Sequence, residues 1–317
     1  MPASSPYGEP QVMEFKDGKL GAFSMQFDDS METQAEFAIP EMNRRGLVGT
    51  FFVNPGTGRY QRTRETWEVV CPKFGHELAN HTMRHEGAED YAEADHEIGE
   101  CARLIWKLYP NESKLRPFLR GGGTTWGTSR EEMRELMDKY YLFRAPRRTG
   151  LSDERGTGQD PSVFARQAVE EREWVLVGFH GVGGQWISVC EEGFIKLLDY
   201  LVANRDRLWT ATTGDIYRYR EEYGALSGVP LTDATETGFK VALECDESKV
   251  KTYGRPLTEL YDEPLTVRVR VPKSWTRFRL TQGDRTEERE VIEVEGEPCA
   301  QFDARPNVGP ASVAILE

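Results

Sequence analysis

No run of about 18 apolar residues occurs in this 317-residue chain, so no helix is expected to cross a membrane. The beginning, Met1-Pro-Ala-Ser-Ser-Pro6, lacks the basic and then apolar segments of a secretory leader. That favours a cytoplasmic location unless a leader has been trimmed. Cysteine is scarce. Cys71, Cys101, Cys190, Cys245 and Cys299 are odd in number, widely spaced and without a Cys-x-x-Cys pair, which argues against a zinc knuckle or a redox motif and for scattered buried thiols. Positive charge is also short, with 40 Lys and Arg against 53 Asp and Glu, for a formal net charge of −13. Such a surface repels nucleic-acid phosphates and anionic lipid, so neither is an expected partner, while a neutral or cationic glycan stays open. No Lys-Ser/Thr follows the glycines at 121–123, so they do not form a phosphate loop. There is no internal repeat and no low-complexity tract. The sequence does not set an oligomeric state; a homodimer stays open.

The chain has 38% hydrophobic and 29% charged residues, a composition that supports a sizeable folded core. From about residue 20 to 223, strand-like and helix-like segments alternate. Gly21–Phe27, Leu47–Val53, Leu115–Leu119, Trp174–Phe179 and Leu208–Thr212 read as strands. Ile98, Cys101, Ala102, Ile105 and Tyr109 mark one helical face. Ser129 and Glu132 form a capping-box pattern ahead of Met133, Leu136, Met137 and Tyr140, and Phe194, Leu197, Leu198 and Leu201 give a further amphipathic helix. This alternation predicts a parallel α/β fold, either a barrel or an open sheet. Gly224 to Pro230 reads as a linker. Beyond it Leu265, Val267, Val269 and Val271 alternate with Thr266, Arg268 and Arg270, and short strands at 276–280, 290–294 and 311–316 follow. The expectation is an α/β domain over 1–230 and a small β-sandwich-like module over 231–317.

The residues able to do chemistry gather in few places. Of five histidines, His76, His81 and His85 fall within ten residues. His81 and His85 are four apart, and on a helical turn that spacing points both imidazoles to one side, where they can share a metal ion. Taken alone, they read equally well as surface or capping histidines. Asp28 and Asp29 directly follow a strand, where one carboxylate can ligate a metal and the other take a proton; taken alone, they read as a helix cap. His180 ends an apolar strand and opens a glycine-rich loop, and Arg120 leads into Gly121, Gly122 and Gly123, whose missing Cβ atoms let backbone approach a ligand or simply make a turn. His76 and His96 read as structural. Trp126 and Trp186 follow two of these segments, as sugar platforms or as packing.

In their order, Phe27-Asp-Asp29, His81-Thr-Met-Arg-His85, an arginine–glycine segment and the strand-terminal His180 resemble the polysaccharide deacetylases (NodB-homology carbohydrate esterases). The flanks agree at Gly49-Thr-Phe-Phe-Val53, at Gly75–His81 and over Phe194–Tyr219, so the resemblance covers roughly residues 15–223. It implies a distorted (β/α) barrel that removes acetyl groups, N- or O-linked, from a glycan or oligosaccharide. It also implies that Asp29, His81 and His85 bind one divalent cation, zinc in the first place, with cobalt, nickel or manganese as alternatives. Asp28 would be the general base, His180 the general acid, and an arginine beside Asp28 would keep it ionised.

Two departures stand out. Arg116-Pro-Phe118 and Arg120-Gly-Gly-Gly123 both partly fit the family's arginine motif, and Arg120 is preferred for its place at a strand end. The family's next motif supplies an acid that tunes the histidine, whereas Tyr140–Thr149 contains none. The partner of His180 is therefore not identified by the sequence. Hydrolysis of non-sugar C–N bonds, as in allantoinase-like or imide-hydrolysing relatives, and a non-catalytic glycan-binding role are the competing readings.

Overall fold

A computed structural model of the chain describes residues 6–122, 125–261 and 263–316. These form two compact units, one spanning Lys19–Ile216 and the other combining the N-terminal residues up to Gly18 with those from Tyr217 onward.

The first unit is a wholly parallel eight-stranded α/β sheet. Its strands are β1 (Gly21–Asp28), β2 (Thr50–Val53), β3 (Glu77–Asn80), β4 (Arg116–Phe118), β5 (Leu142–Arg144), β6 (Thr149–Gly150), β7 (Trp174–Phe179) and β8 (Leu208–Thr210). The order is β5-β4-β3-β2-β1-β7-β6, with β8 paired to the first residues of β1. The main helices are α1 (Ile39–Arg44), α2 (Tyr91–Leu108), α3 (Arg130–Lys139), α4 (Ser162–Glu170), α5 (Glu191–Ala203) and α6 (Thr213–Ala225), the last running on into the second unit. Ser129 caps α3 through the full capping box with Glu132, as the sequence predicts. The predicted linker is not continuous coil: α6 runs to Ala225, and Leu226–Gly228 pairs with Glu244–Cys245.

Every residue of β1 is buried, but its two faces differ. Phe23, Met25 and Phe27 enter the main hydrophobic core, while Ser24, Gln26 and Asp28 alternate with them and face polar partners. The register follows from aromatic packing. Phe51, Phe27 and Phe179 lie opposite one another on β2, β1 and β7, with the Phe27 ring stacked 4.7 Å from Phe51 and 4.9 Å from Phe179. This stack places Asp28, the last residue of β1, and His180, the residue just after β7, side by side at the C-terminal edge.

The second unit holds two antiparallel sheets. One contains Gln11–Val12, Leu265–Arg270, Glu297–Ala304 and Ile292–Val294, and the other Leu231–Thr232, Gly238–Val241, Ala311–Ile315, Arg277–Gln282 and Arg285–Glu290. Val267, Val269 and Val271 are buried, as their alternation predicts. Phe278 of one sheet meets Phe302 of the other edge to face at 6.4 Å.

His76, just before β3, is buried and structural. Its Nδ1 accepts from the Gly49 N–H at 3.2 Å, and Nε2 lies 2.9 Å from Asn43 Oδ1. A proton on Nδ1 would face an N–H donor, and burial pushes the pKa down to about 4. The unfolded chain takes up this proton near pH 6.5, which the folded chain resists until about 4, so stability falls as pH drops through that window, by up to ~3 kcal/mol. Urea unfolding between pH 7 and pH 4 is therefore expected to show a smaller loss of stability on acidification for His76→Gln than for the unsubstituted protein.

Candidate metal and hydrolytic site

Four strand ends of the first unit converge on Asp29. Asp29 Oδ1 lies 3.3 Å from His81 Nε2 and 3.1 Å from His85 Nε2. The three ligand atoms are all within 4.8 Å of one another, and among the described residues this is the one cluster of its kind. The spacing of His81 and His85 predicts a helical turn, but the structure has a loop there. Asp29 and Ser30 have φ of 72° and 50°, and Thr82 and His85 have φ of 69° and 63°. Non-glycine residues in this left-handed region carry strain of order 1 kcal/mol or more each, and strain that the surrounding structure enforces is a mark of a functional site. The enforcing contacts are visible. Asn54, at the end of β2, donates its N–H to Ser30 Oγ and donates from Nδ2 to the His81 and Thr82 carbonyls, at 2.6 and 3.1 Å. Asn80 Oδ1 takes the Thr82 N–H, and Glu97 of α2 takes that of Arg84.

The donor set fits a divalent transition metal. Two imidazole nitrogens and one carboxylate are a zinc-type set with room for further ligands. His81 Nδ1 lies 2.7 Å from the Leu119 carbonyl, which fixes the tautomer and leaves the Nε2 lone pair facing Asp29. Burial alone would push the Asp29 carboxyl up; hydrogen bonds and charge interactions with His81 and His85 outweigh it and hold the group well below the usual carboxylate range. Gly121 and Gly122 are required here by space. A Cβ on Gly121 would lie 2.1 Å from the His81 carbonyl oxygen, and one on Gly122 would lie 2.1 Å from both Nδ1 and the carbonyl oxygen of His85. Gly122 thus shapes the ligand loop. Gly123 and Thr124 lie outside the described residues.

Asp28 is buried beside this cluster, and the guanidinium on it belongs to Arg148. Arg148 Nη1 donates to Asp28 Oδ1 at 2.9 Å, and Nη2 donates to Oδ2, a bidentate pair. Arg120, the residue the sequence favours for this contact, instead lies exposed over the Trp126 ring, 5.7 Å from its centroid. The alternative, Arg116, is buried between Glu112 and Glu77 and stacked on Tyr109. Both belong to the segment around β4, on the far side of β2 and β3 from Asp28, whereas Arg148 precedes β6, next to β7. Arg148 lies within the stretch that lacks the expected acid, so its signal was present as two adjacent arginines, but only the sheet order gives them a target.

His180 Nε2 sits 3.6 Å from Asp28 Oδ2 and 3.9 Å from Asp29 Oδ2. Burial lowers its pKa, the charges of Asp28 and Asp29 pull it back up, and Arg148 adds to the lowering. Its backbone is tied to that of Asp28 by Gln34, fully buried, whose Nε2 donates to the Asp28 carbonyl at 2.6 Å and the His180 carbonyl at 2.8 Å. The sequence reading missed Gln34, which has no motif to mark it. Trp126 is half-buried and donates from its indole nitrogen to the Gly122 carbonyl, whereas Trp186 is 63% exposed in the loop after His180. His96 is exposed on α2.

No family model matches the chain. A curated protein described as gellan lyase, from a Bacillus species, is 22% identical over 312 aligned residues, covering 87% of this chain and 12% of that protein. The chain thus spans about an eighth of the length of that relative. Among solved structures, the peptidoglycan deacetylase PdaC from Bacillus subtilis is 16% identical, with a TM-score of 0.46, over 65% of this chain and 94% of that one. A CE4 family pseudoenzyme from Bacillus anthracis is 12% identical, with a TM-score of 0.41, over 61% of this chain and 63% of that one. These likenesses concern the fold, and activity has to be argued from the site.

From the close approach of Gly122 to His85, Gly122→Ala is expected to lower zinc affinity about 10- to 100-fold, read by competition with a chelating dye, with little change in helix content by circular dichroism.

Proposed function

We propose that the chain is a metal-dependent hydrolase that removes N- or O-linked acetyl groups from a glycan. The observation that carries this reading is the placement, at one strand edge, of an Asp–His–His cluster directly beside a second carboxylate with its own arginine and a histidine 3.6 Å away. The acetyl assignment comes from the ordered motifs, and the division of labour from the geometry.

Asp29, His81 and His85 would hold the cation, which when bound supplies a Lewis acid that polarises a carbonyl and acidifies water. Asp28 keeps its carboxylate turned toward the same space, because Arg148 grips both oxygens from the other side. An ionised carboxylate so held accepts the proton of an attacking water. His180 Nε2 faces the Asp28 Oδ2 edge. With its pKa lowered by burial, an imidazolium there readily passes its proton to a departing amine or alkoxide. Gln34 holds the base and acid backbones at a fixed separation, so proton acceptance and donation occur on one rigid frame.

Incubation with a chelator is expected to abolish acetate release from acetylated chito- or xylo-oligosaccharides, and added zinc to restore it. Asp28→Asn should lower kcat by about 10²- to 10⁴-fold with metal content unchanged. Full activity in a His81→Ala/His85→Ala double variant would sink the reading. Turnover of cyclic amides or ureides with none of acetylated sugars would replace it with C–N bond hydrolysis on a non-sugar substrate.

A further inference from the structure

Arg148 reaches Asp28 across an intervening strand. It directly precedes β6, and β7 lies between β6 and β1. The register of the crossing is fixed: Gly150 of β6 pairs with Gly178 of β7, and Gly178 pairs with Gln26 of β1. Gln26 and Asp28 are two residues apart on β1, so both leave the same face of the sheet, and paired residues on neighbouring strands share a face. A side chain at position 178 would therefore stand between Arg148 and both of its partners. Gly178 has none. A Cβ there would lie 2.5 Å from Arg148 Nε, 2.7 Å from Cδ and 2.9 Å from Cζ, and these are its three nearest atoms. The backbone does not call for glycine at this place, since the φ of Gly178 lies outside the left-handed region. A glycine inside a strand costs stability relative to alanine and marks a close approach, and what approaches here is the Arg148 side chain.

Gln26 forms the far wall. It is fully buried, and its Oε1 accepts from Arg148 Nη1 at 3.0 Å while the same Nη1 donates to Asp28 Oδ1 at 2.9 Å. A guanidinium carries only donors, so the amide oxygen has to face it. Gln26 Nε2 donates to Thr213 Oγ1 at 3.0 Å, which holds the amide that way round. Phe52, the register partner of Asp28 on β2, closes the end, with Arg148 Cζ 5.6 Å from its ring centroid. An ion pair with Asp28 needs none of these contacts. What they settle is the direction from which the guanidinium grips the carboxylate, with His180 Nε2 3.6 Å from Asp28 Oδ2.

Resting on the deacetylase reading, we propose that Gly178 and Gln26 are positioning residues for the general base. Together they make a slot across β7 that sets the Arg148 guanidinium on Asp28 and, through it, the orientation of the carboxylate. An arginine arriving from the β6 side has to cross β7, and the missing side chain at 178 is what the crossing requires.

The test is a pair of mutant cycles on the zinc-loaded full chain, with acetylated xylo-oligosaccharide as the probe. Gly178→Ala and Gln26→Leu are each expected to lower kcat about 10- to 100-fold, with KM and zinc affinity within about twofold. Added to Arg148→Ala, either should cost no more than about twofold further, because the group it positions is already gone. The second cycle needs no turnover. Gly178→Ala should lower the urea midpoint of the unsubstituted chain, whereas in Asp28→Asn/Arg148→Ala, where both charges are removed, it should leave the midpoint unchanged or raise it, since alanine is favoured over glycine in a strand once the space is free. This neutral background also decides the matter where Arg148→Ala alone fails to fold. Unchanged kcat in Gly178→Ala and Gln26→Leu, full multiplication of their costs with that of Arg148→Ala, or the same fall in midpoint in both backgrounds overturns the proposal. A midpoint that falls in one background alone, with no acetate released by the unsubstituted chain, leaves the slot standing and removes the deacetylase. Acetate release with costs that multiply in full removes this proposal alone. Neither release nor a difference between the backgrounds removes both.

Discussion

Asp28 and Asp29 are adjacent carboxylates, both buried, at the end of a strand that is buried along its whole length. Two negative charges so placed repel each other and lose most of their hydration, a cost that has to be met by specific partners. The fold divides the task. Asp29 turns toward two imidazoles, and Asp28 turns toward Arg148. The positive φ at Asp29 and Ser30 bends the chain just where the extended run of β1 ends. Removing either set of partners would leave an uncompensated buried charge, so the geometry around these two residues constrains everything that meets them.

That constraint reaches deep into the first unit. Arg148 Nη1 also donates to Gln26 Oε1 at 3.0 Å, and Gln26 Nε2 donates to Thr213 Oγ1 at 3.0 Å. The Thr213 N–H reaches Thr50 Oγ1, which donates to Glu77 Oε2, and Glu77 also receives the Gly214 N–H. Arg116 closes the chain from the far side, 3.6 Å from Glu77 Oε1. The polar face of β1 therefore opens on a hydrogen-bonded interior that joins the C-terminal edge of the sheet to the start of α6, while its apolar face carries the aromatic stack. One strand supplies both, because alternate side chains leave it in opposite directions.

The second unit manages its charges differently. Its strand Arg285–Glu290 is paired on one side only and is lined with charge, and Glu288 takes both Arg277 and Arg279 of the neighbouring strand at about 3 Å. A charged edge strand discourages pairing with another chain, and such exposed ion pairs contribute little stability. Here arginine finds acid on the adjacent strand.

Most of the architecture was legible from periodicity. The core strands β1, β2 and β7, the amphipathic helices α2, α3 and α5, and the alternating Leu265–Val271 strand all come from side-chain patterns that local backbone geometry imposes. Strands β3, β5 and β6 and the N-terminal strand Gln11–Val12, each two to four residues long, were missed. Of the site, Asp28, Asp29, His81, His85 and His180 were visible, since each reactive group sits within a short ordered motif. The tertiary structure decided what those motifs could not. It replaced the expected helical turn at His81–His85 with a strained loop, chose Arg148 over Arg120 and Arg116, and brought in Gln34 and Asn54. The reason is physical. A ligand motif is local and survives in a string of residues. The partner that orients a buried charge is chosen by strand order and register, which bring Arg148 onto Asp28 across 120 residues of chain.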